Sequence, residues 1–269
     1  MRFAPHSLLL LGLLACGGDE PAGGSGSTSR GSSGPVPPIA NEAPPADRAA
    51  WGSIEGVVLF EGEPPSQREL SGPLRQPGCG EHEHPPTREE VTVQDGKLRD
   101  VLVRLRTQDL HADALGEVPS EPAQLRQSGC IYRPHVVGLM AGQELVVSNE
   151  DQTEHNVHAK PQRAEESNGA RLNRGQQAGG APLSYTFSLA NQFEAVPFQC
   201  DLHPWMKAWV GVVEHRYFAV SDADGRFVLP EVPPGDYWLE AWHETLGNQR
   251  VRVSVPSGGA GSAEFVYRP

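Results

Sequence analysis

The sequence predicts an all-β protein, and three observations carry that reading. Thirty glycines and twenty-five prolines are spread through 269 residues, a density of turn formers that keeps regular elements short. No long stretch sustains the 3.6-residue apolar period of a surface helix. Instead, runs rich in β-branched and aromatic residues recur between turn signals, as in "SIEGVVLF" (53–60), "ELVVSN" (144–149) and "RFVLPEV" (226–232). An apolar content of 38% is enough to fill a real core.

The chain begins with an address rather than a fold. Residues 1–15 carry Arg2 and then "LLLLGLLA" (8–15), a run too short for a permanent membrane span and of the right length for a signal h-region. Leu13-Leu14-Ala15-Cys16 resembles the lipobox of bacterial lipoproteins. That resemblance makes 1–16 a lipoprotein signal, with Cys16 acylated and the chain exported to the periplasm or cell surface on a lipid anchor in a bacterial membrane. Residues 17–51 are dominated by Gly, Ser and Pro and read as a disordered tether. The formal charge of -12, without a basic patch, excludes nucleic acid as a partner.

Cysteine arithmetic comes next. With Cys16 lipidated, Cys79, Cys130 and Cys200 remain, and an odd number in an exported protein leaves one thiol unpaired. Cys79 lies in the loop-like "QPGCGEHEHPP" and Cys130 in "SGCIYRP"; these two are the expected disulfide, which leaves Cys200 free. Cys200 opens "CDLHPWM" (200–206), with His203 and Met206 at short spacing. A thiolate, two imidazoles and a weak thioether form the trigonal copper site used in one-electron transfer. The second imidazole has to come from a distant strand. His155 is the candidate, after the strand at 144–149 and an acidic turn.

Together, "VVSNEDQTEHNV" (146–157) and "FQCDLHPWM" (198–206) resemble the cupredoxins, and the C-x2-H-x2-M spacing is similar to that of short-loop, amicyanin-like members. The resemblance covers about 121–214. It implies a Greek-key β-sandwich holding one type 1 copper ion through His155, Cys200, His203 and Met206. It further implies that Asn156, directly after the first histidine, ties that strand to the cysteine loop. By the same resemblance the protein is an electron carrier, not an enzyme, with an exposed edge of His203 as the electron route to a redox protein partner; Pro204 and Trp205 beside it either form an apolar docking surface or pack inside the loop. A copper storage, delivery or sensing module would use the same ligands. Other histidines read differently: His158 faces the opposite side of its strand, His82 and His84 lie in a solvated loop, and His135 is packed or hydrogen-bonded. The segment 160–182 is polar, glycine-rich and read as a mobile loop.

The rest of the chain supplies four more strands, "YFAVSD" (217–222), "RFVLPEV", "DYWLEAWH" (236–243) and "NQRVRVSV" (248–255). With the turns "DADG" and "PPGD" they resemble the carboxypeptidase regulatory-like domain, a transthyretin-type sandwich that implies no catalytic residues. "SIEGVVLFEGEPP" (53–65) and "KLRDVLVRLRT" (97–107) fit its opening strands. The expected architecture is therefore a sandwich of 52–115 plus 215–269, interrupted by a copper domain at 116–214. Sequential domains remain the alternative.

Overall fold

Turn chemistry cuts the chain into eighteen short strands in a computed structural model that describes residues 37–80, 82, 84–160, 173–188, 190 and 195–269. The signal and lipobox residues, Cys16 included, lie outside the described residues. The first four strands are β1 (Gly52–Phe60), β2 (Val93–Gln94), β3 (Lys97–Leu98) and β4 (Leu102–Leu105). The middle group comprises β5 (Ala123–Gln127), β6 (Tyr132–Arg133), β7 (Val136–Met140), β8 (Glu144–Asn149), β9 (His155–Ala159), β10 (Asn173–Gln176), β11 (Leu183–Thr186), β12 (Val196–Gln199) and β13 (Lys207–Val213). Last come β14 (Phe218–Val220), β15 (Arg226–Val232), β16 (Gly235–His243), β17 (Gly247–Val255) and β18 (Ala260–Tyr267).

Strands from residues 52–105 and 218–267 build one sandwich. One sheet has the order β15-β1-β3-β2 with β18 also on β1, and the other has the order β14-β4-β16-β17. β1 is central because it takes β15 antiparallel and β18 parallel, from Ser53 opposite Ala260 to Phe60 opposite Tyr267. Alternation along β18 points Ala263, Phe265 and Tyr267 inward. There they meet Leu105, Leu239 and Val253 of the facing sheet in one buried cluster. The middle strands form a second sandwich, with sheets β10-β9-β12-β13-β7 and β11-β8-β5-β6 around a core that includes Leu125, Val147, Val157, Phe198 and Val210.

The two bodies meet back to back. A Cβ built on Gly211 would lie 2.2 Å from the Leu102 side chain, so only glycine lets β13 approach so closely. Beside it the Trp209 and Trp242 rings pack edge to face at 5.4 Å.

Several expectations need correction. The tether does not reach residue 51 as an unbonded chain: Ile39 N–H donates to Asp109 Oδ1 at 2.8 Å, and Asn41 Nδ2 donates to the carbonyls of Asp109 and Asp236 at 2.8 and 2.7 Å. The reason is the Asp109 carboxylate, which is buried and takes donors from this strap as well as from Arg106. The single strand expected at 97–107 is two strands in different sheets, because Asp100 turns the chain at φ 63° and donates its N–H to Ser221 O at 3.0 Å. Strand β18 is an addition to the four strands read at the C-terminal end. Within the expected mobile loop, Asn173–Gln176 pairs with β9, while residues 161–172 lie outside the described residues.

Candidate metal centre

The site is built where two strand ends of the second sandwich meet. β8 ends at Asn149, whose Oδ1 accepts the Asp151 N–H at 3.0 Å, a side-chain turn that reverses the chain. The Asn149 amide also donates to the carbonyls of Thr153, Gln176 and Gln177. The chain returns as β9, and its first residue, His155, points inward and is wholly buried. β12 pairs with β13 up to Gln199 opposite Lys207. The loop between them is closed by Cys200 N–H to Met206 O at 3.3 Å and Met206 N–H to His203 O at 2.8 Å.

Three donors converge. His155 Nδ1 lies 3.9 Å from Cys200 Sγ, His203 Nδ1 lies 3.6 Å from it, and the two Nδ1 atoms are 2.9 Å apart. Donors sharing one ion at roughly 2.0–2.3 Å stand about 3–4 Å from one another, so the sulfur–nitrogen gaps fit a metal without rearrangement. Met206 is buried in the same apolar cluster as Cys200. Asn156 links the two halves: its N–H donates to Cys200 Sγ at 3.4 Å, and its Oδ1 accepts from Asp201 N at 2.6 Å and Leu202 N at 3.3 Å.

The electrostatics suit a thiolate between nitrogen donors. Burial would raise the Cys200 thiol, but its hydrogen bond with His155 and backbone N–H groups bring it below the usual range. Burial also opposes the His155 cation; hydrogen bonds to Asp151 and Cys200 outweigh it and push the pKa up to about 8. His203 is held below its ordinary value by burial and by the His155 charge, which keeps its ring neutral with a lone pair free to bind. Across the 2.9 Å gap one Nδ1 must donate to the other, and metal binding would displace that proton.

Cys79 and Cys130 form a disulfide, and Cys200 is the free cysteine among the described residues. The bridge lies against the centre, with both sulfurs within 4.8 Å of a His203 ring nitrogen. Being oxidised, it offers no thiolate and is a wall rather than a ligand pair. Trp205 completes the cover, its ring centre 5.2 Å from that of His203 and its Nε1–H donated to Cys130 O at 2.9 Å. Gly72, in the short helix α1 (Ser71–Arg75) between β1 and β2, sits on this indole so closely that a Cβ there would lie 2.3 Å from it. His203 is consequently only 2% exposed. The expectation of an exposed His203 edge is thus overturned: the ring is buried under Trp205 and the disulfide, with α1 packed on the indole.

The other histidines fall outside the centre. His158 bonds Asp201 on the outer face at 3.0 Å, and His135 is buried against Glu244. His82 packs against Gly129, rather than lying free in solvent. One residue escaped the sequence reading. Asp151 accepts from His155 Nε2 at 2.8 Å, from Gly129 N at 2.6 Å and from Cys130 N at 2.9 Å. Its only sequence signal is a position four residues before the histidine in "NEDQTEH".

No protein-family model matches the chain, and no curated protein matches it. Solved structures similar to part of it are cupredoxins. A purple cupredoxin from Nitrosopumilus maritimus is 19% identical over 34% of this chain and 99% of its own, with a TM-score of 0.28. Amicyanin from Paracoccus versutus is 22% identical over 37% of this chain and 89% of its own, with a TM-score of 0.29.

Proposed function

We propose that this chain is a type 1 copper protein, carrying single electrons between exported redox partners. What supports the reading is the convergence of Cys200 Sγ with the Nδ1 atoms of His155 and His203 at separations one ion can bridge. Copper so held would supply a one-electron couple, its thiolate favouring Cu(I) and its imidazoles Cu(II). His155, Cys200 and His203 would hold the ion, with the buried Met206 as a weak fourth donor. Asn156 keeps the sulfur oriented through its N–H, and the apolar surroundings exclude water. No substrate is transformed, so the protein acts as a carrier and not an enzyme. Electrons cross the cover through the Trp205 indole, half-exposed and packed on His203.

The burial of His203 favours a second reading, a module for copper storage, delivery or sensing, in which a closed site holds the ion and exchanges electrons slowly. The other sandwich, read as carboxypeptidase regulatory-like, presents the copper body and shields it with the segment that carries α1 and Cys79. Acylation of Cys16 anchors the protein to a bacterial membrane; among the described residues no helix is long and apolar enough to cross one.

Reconstitution with Cu(II), followed by visible absorption and electron paramagnetic resonance, tests the site. An intense sulfur-to-copper band is expected, and its absence refutes the proposal. Fast reversible voltammetry then selects the carrier, and sluggish or absent waves select the store. For the anchor, Cys16→Ser should move the protein from the membrane to the soluble fraction; unchanged membrane partitioning refutes acylation there.

A further inference from the structure

The geometry points to Asp151 as a positioning residue for the metal centre, one that fixes which nitrogen of His155 faces the ion and adds a buried negative charge behind it. The inference rests on the copper reading above and extends it to a residue outside the ligand set.

An imidazole that binds metal through one nitrogen must carry its proton on the other, and whatever accepts that proton sets the ring's orientation and donor strength. His155 Nδ1 faces Cys200 and His203, while Nε2 lies 2.8 Å from Asp151 Oδ2. A carboxylate is an acceptor only, so this contact requires the Nε2–H form and leaves the Nδ1 lone pair for the ion. The carboxylate is itself clamped. Its backbone N–H is fixed on Asn149 Oδ1 at 3.0 Å, Oδ1 takes the Gly129 N–H, and Oδ2 takes the Cys130 N–H together with the ring. Next to it, Gln152 N–H donates to Gly78 O at 3.0 Å, one residue before the disulfide. The acceptor that aims His155 is therefore anchored from the sheet on one side and from the Cys79–Cys130 staple on the other.

The second consequence concerns charge. With the Cys200 thiolate, Asp151 places two negative groups around the centre, and in a poorly solvated interior both favour the more highly charged ion. A neutral acceptor in the same place would hold the ring without that preference. Asp151 accordingly strengthens Cu(II) binding more than Cu(I) binding and lowers the reduction potential.

The test uses the full chain and two variants. Asp151→Asn can keep an oxygen facing Cys130 N and His155 Nε2 while removing the charge and the acceptor for Gly129 N–H; Asp151→Ala removes every acceptor. Nitrogen-resolved NMR of the metal-free protein should show a downfield, slowly exchanging His155 Nε2–H in wild type and Asp151→Asn, and lose it in Asp151→Ala. Chelator competition should show Cu(II) affinity about 10- to 100-fold weaker in Asp151→Ala. In Asp151→Asn, Cu(II) affinity should fall more than Cu(I) affinity, seen as a raised midpoint potential. An Nε2–H signal that survives in the alanine variant, or an unchanged potential in a folded asparagine variant, overturns the assignment and leaves Asp151 as a staple for the turn at 129–130. Wild-type protein that takes up no copper overturns the copper reading instead, and the metal-free NMR still decides whether Asp151 holds the ring.

Discussion

The Trp205 indole sits over the His203 imidazole with ring centres 5.2 Å apart and is fastened by its own N–H to the Cys130 carbonyl. The ring of this proposed ligand is thereby covered. Trp205→Ala should open that face. Oxidation of the reduced, copper-loaded protein by a small inorganic oxidant is expected to accelerate several-fold in stopped-flow measurements, with a stability loss of about 2 kcal/mol from the lost burial. An unchanged rate would mean that the indole does not control access.

The disulfide joins residues 51 positions apart and lies against the same imidazole. Loop-closure entropy for that separation corresponds to about 4 kcal/mol. The double variant Cys79→Ser, Cys130→Ser should lose stability of that order in denaturant titrations. It should also bind copper with altered band positions, because His203 and the Asp151 turn both lose a wall. A variant with wild-type spectrum and wild-type midpoint would show the bridge to be remote from the site in effect.

His215 and His243 are buried in the terminal sandwich or at its edge, and burial chiefly depresses each to about 4 from an ordinary 6.5. Between those values the unfolded chain binds protons that the folded one refuses. Stability is therefore full above pH 6.5 and falls as pH drops toward 4, by about 1.4 kcal/mol per pH unit for each ring. Urea titrations from pH 7 to 4.5 should show this slope, and Phe at both positions should flatten it. An equal slope in the double variant would assign the acid sensitivity to other groups.

Asn156 ties strand β9 to the cysteine loop through Asp201 N and Leu202 N. Asn156→Ala should cost about 1–2 kcal/mol for the two bonds and broaden the copper resonance by loosening the loop at 201–202, although the backbone N–H to Cys200 Sγ stays. A sharp, wild-type signal would show that the backbone pairing of β12 with β13 suffices.

Much of this arrangement was legible in the residues. Strands β8 and β15 occupy the segments read as strands, because their period-2 alternation and bounding turns are local properties. His155, Cys200 and His203 could be brought together on paper because donor chemistry names its own partners, and the structure gathers their donor atoms while burying Met206 nearby. The cover was not legible. Gly72 and Cys79 reach the centre from a segment far away in sequence, and nothing in "SGPLRQPGCG" says on which body it lies. Asp151 was visible as part of an acidic turn, yet one carboxylate among four polar neighbours carries no mark of its orientation. The strap at 37–50 is not legible in composition because its bonds depend on the buried Asp109, a demand that Gly, Ser and Pro content does not express.

The most direct test is copper-edge X-ray absorption on the reconstituted protein beside Cys200→Ser. One sulfur and two imidazole nitrogens are expected at short distance around copper in the wild type, with the sulfur missing from the variant. A wild-type shell of nitrogen and oxygen alone, or one that Cys200→Ser leaves unchanged, would contradict the account.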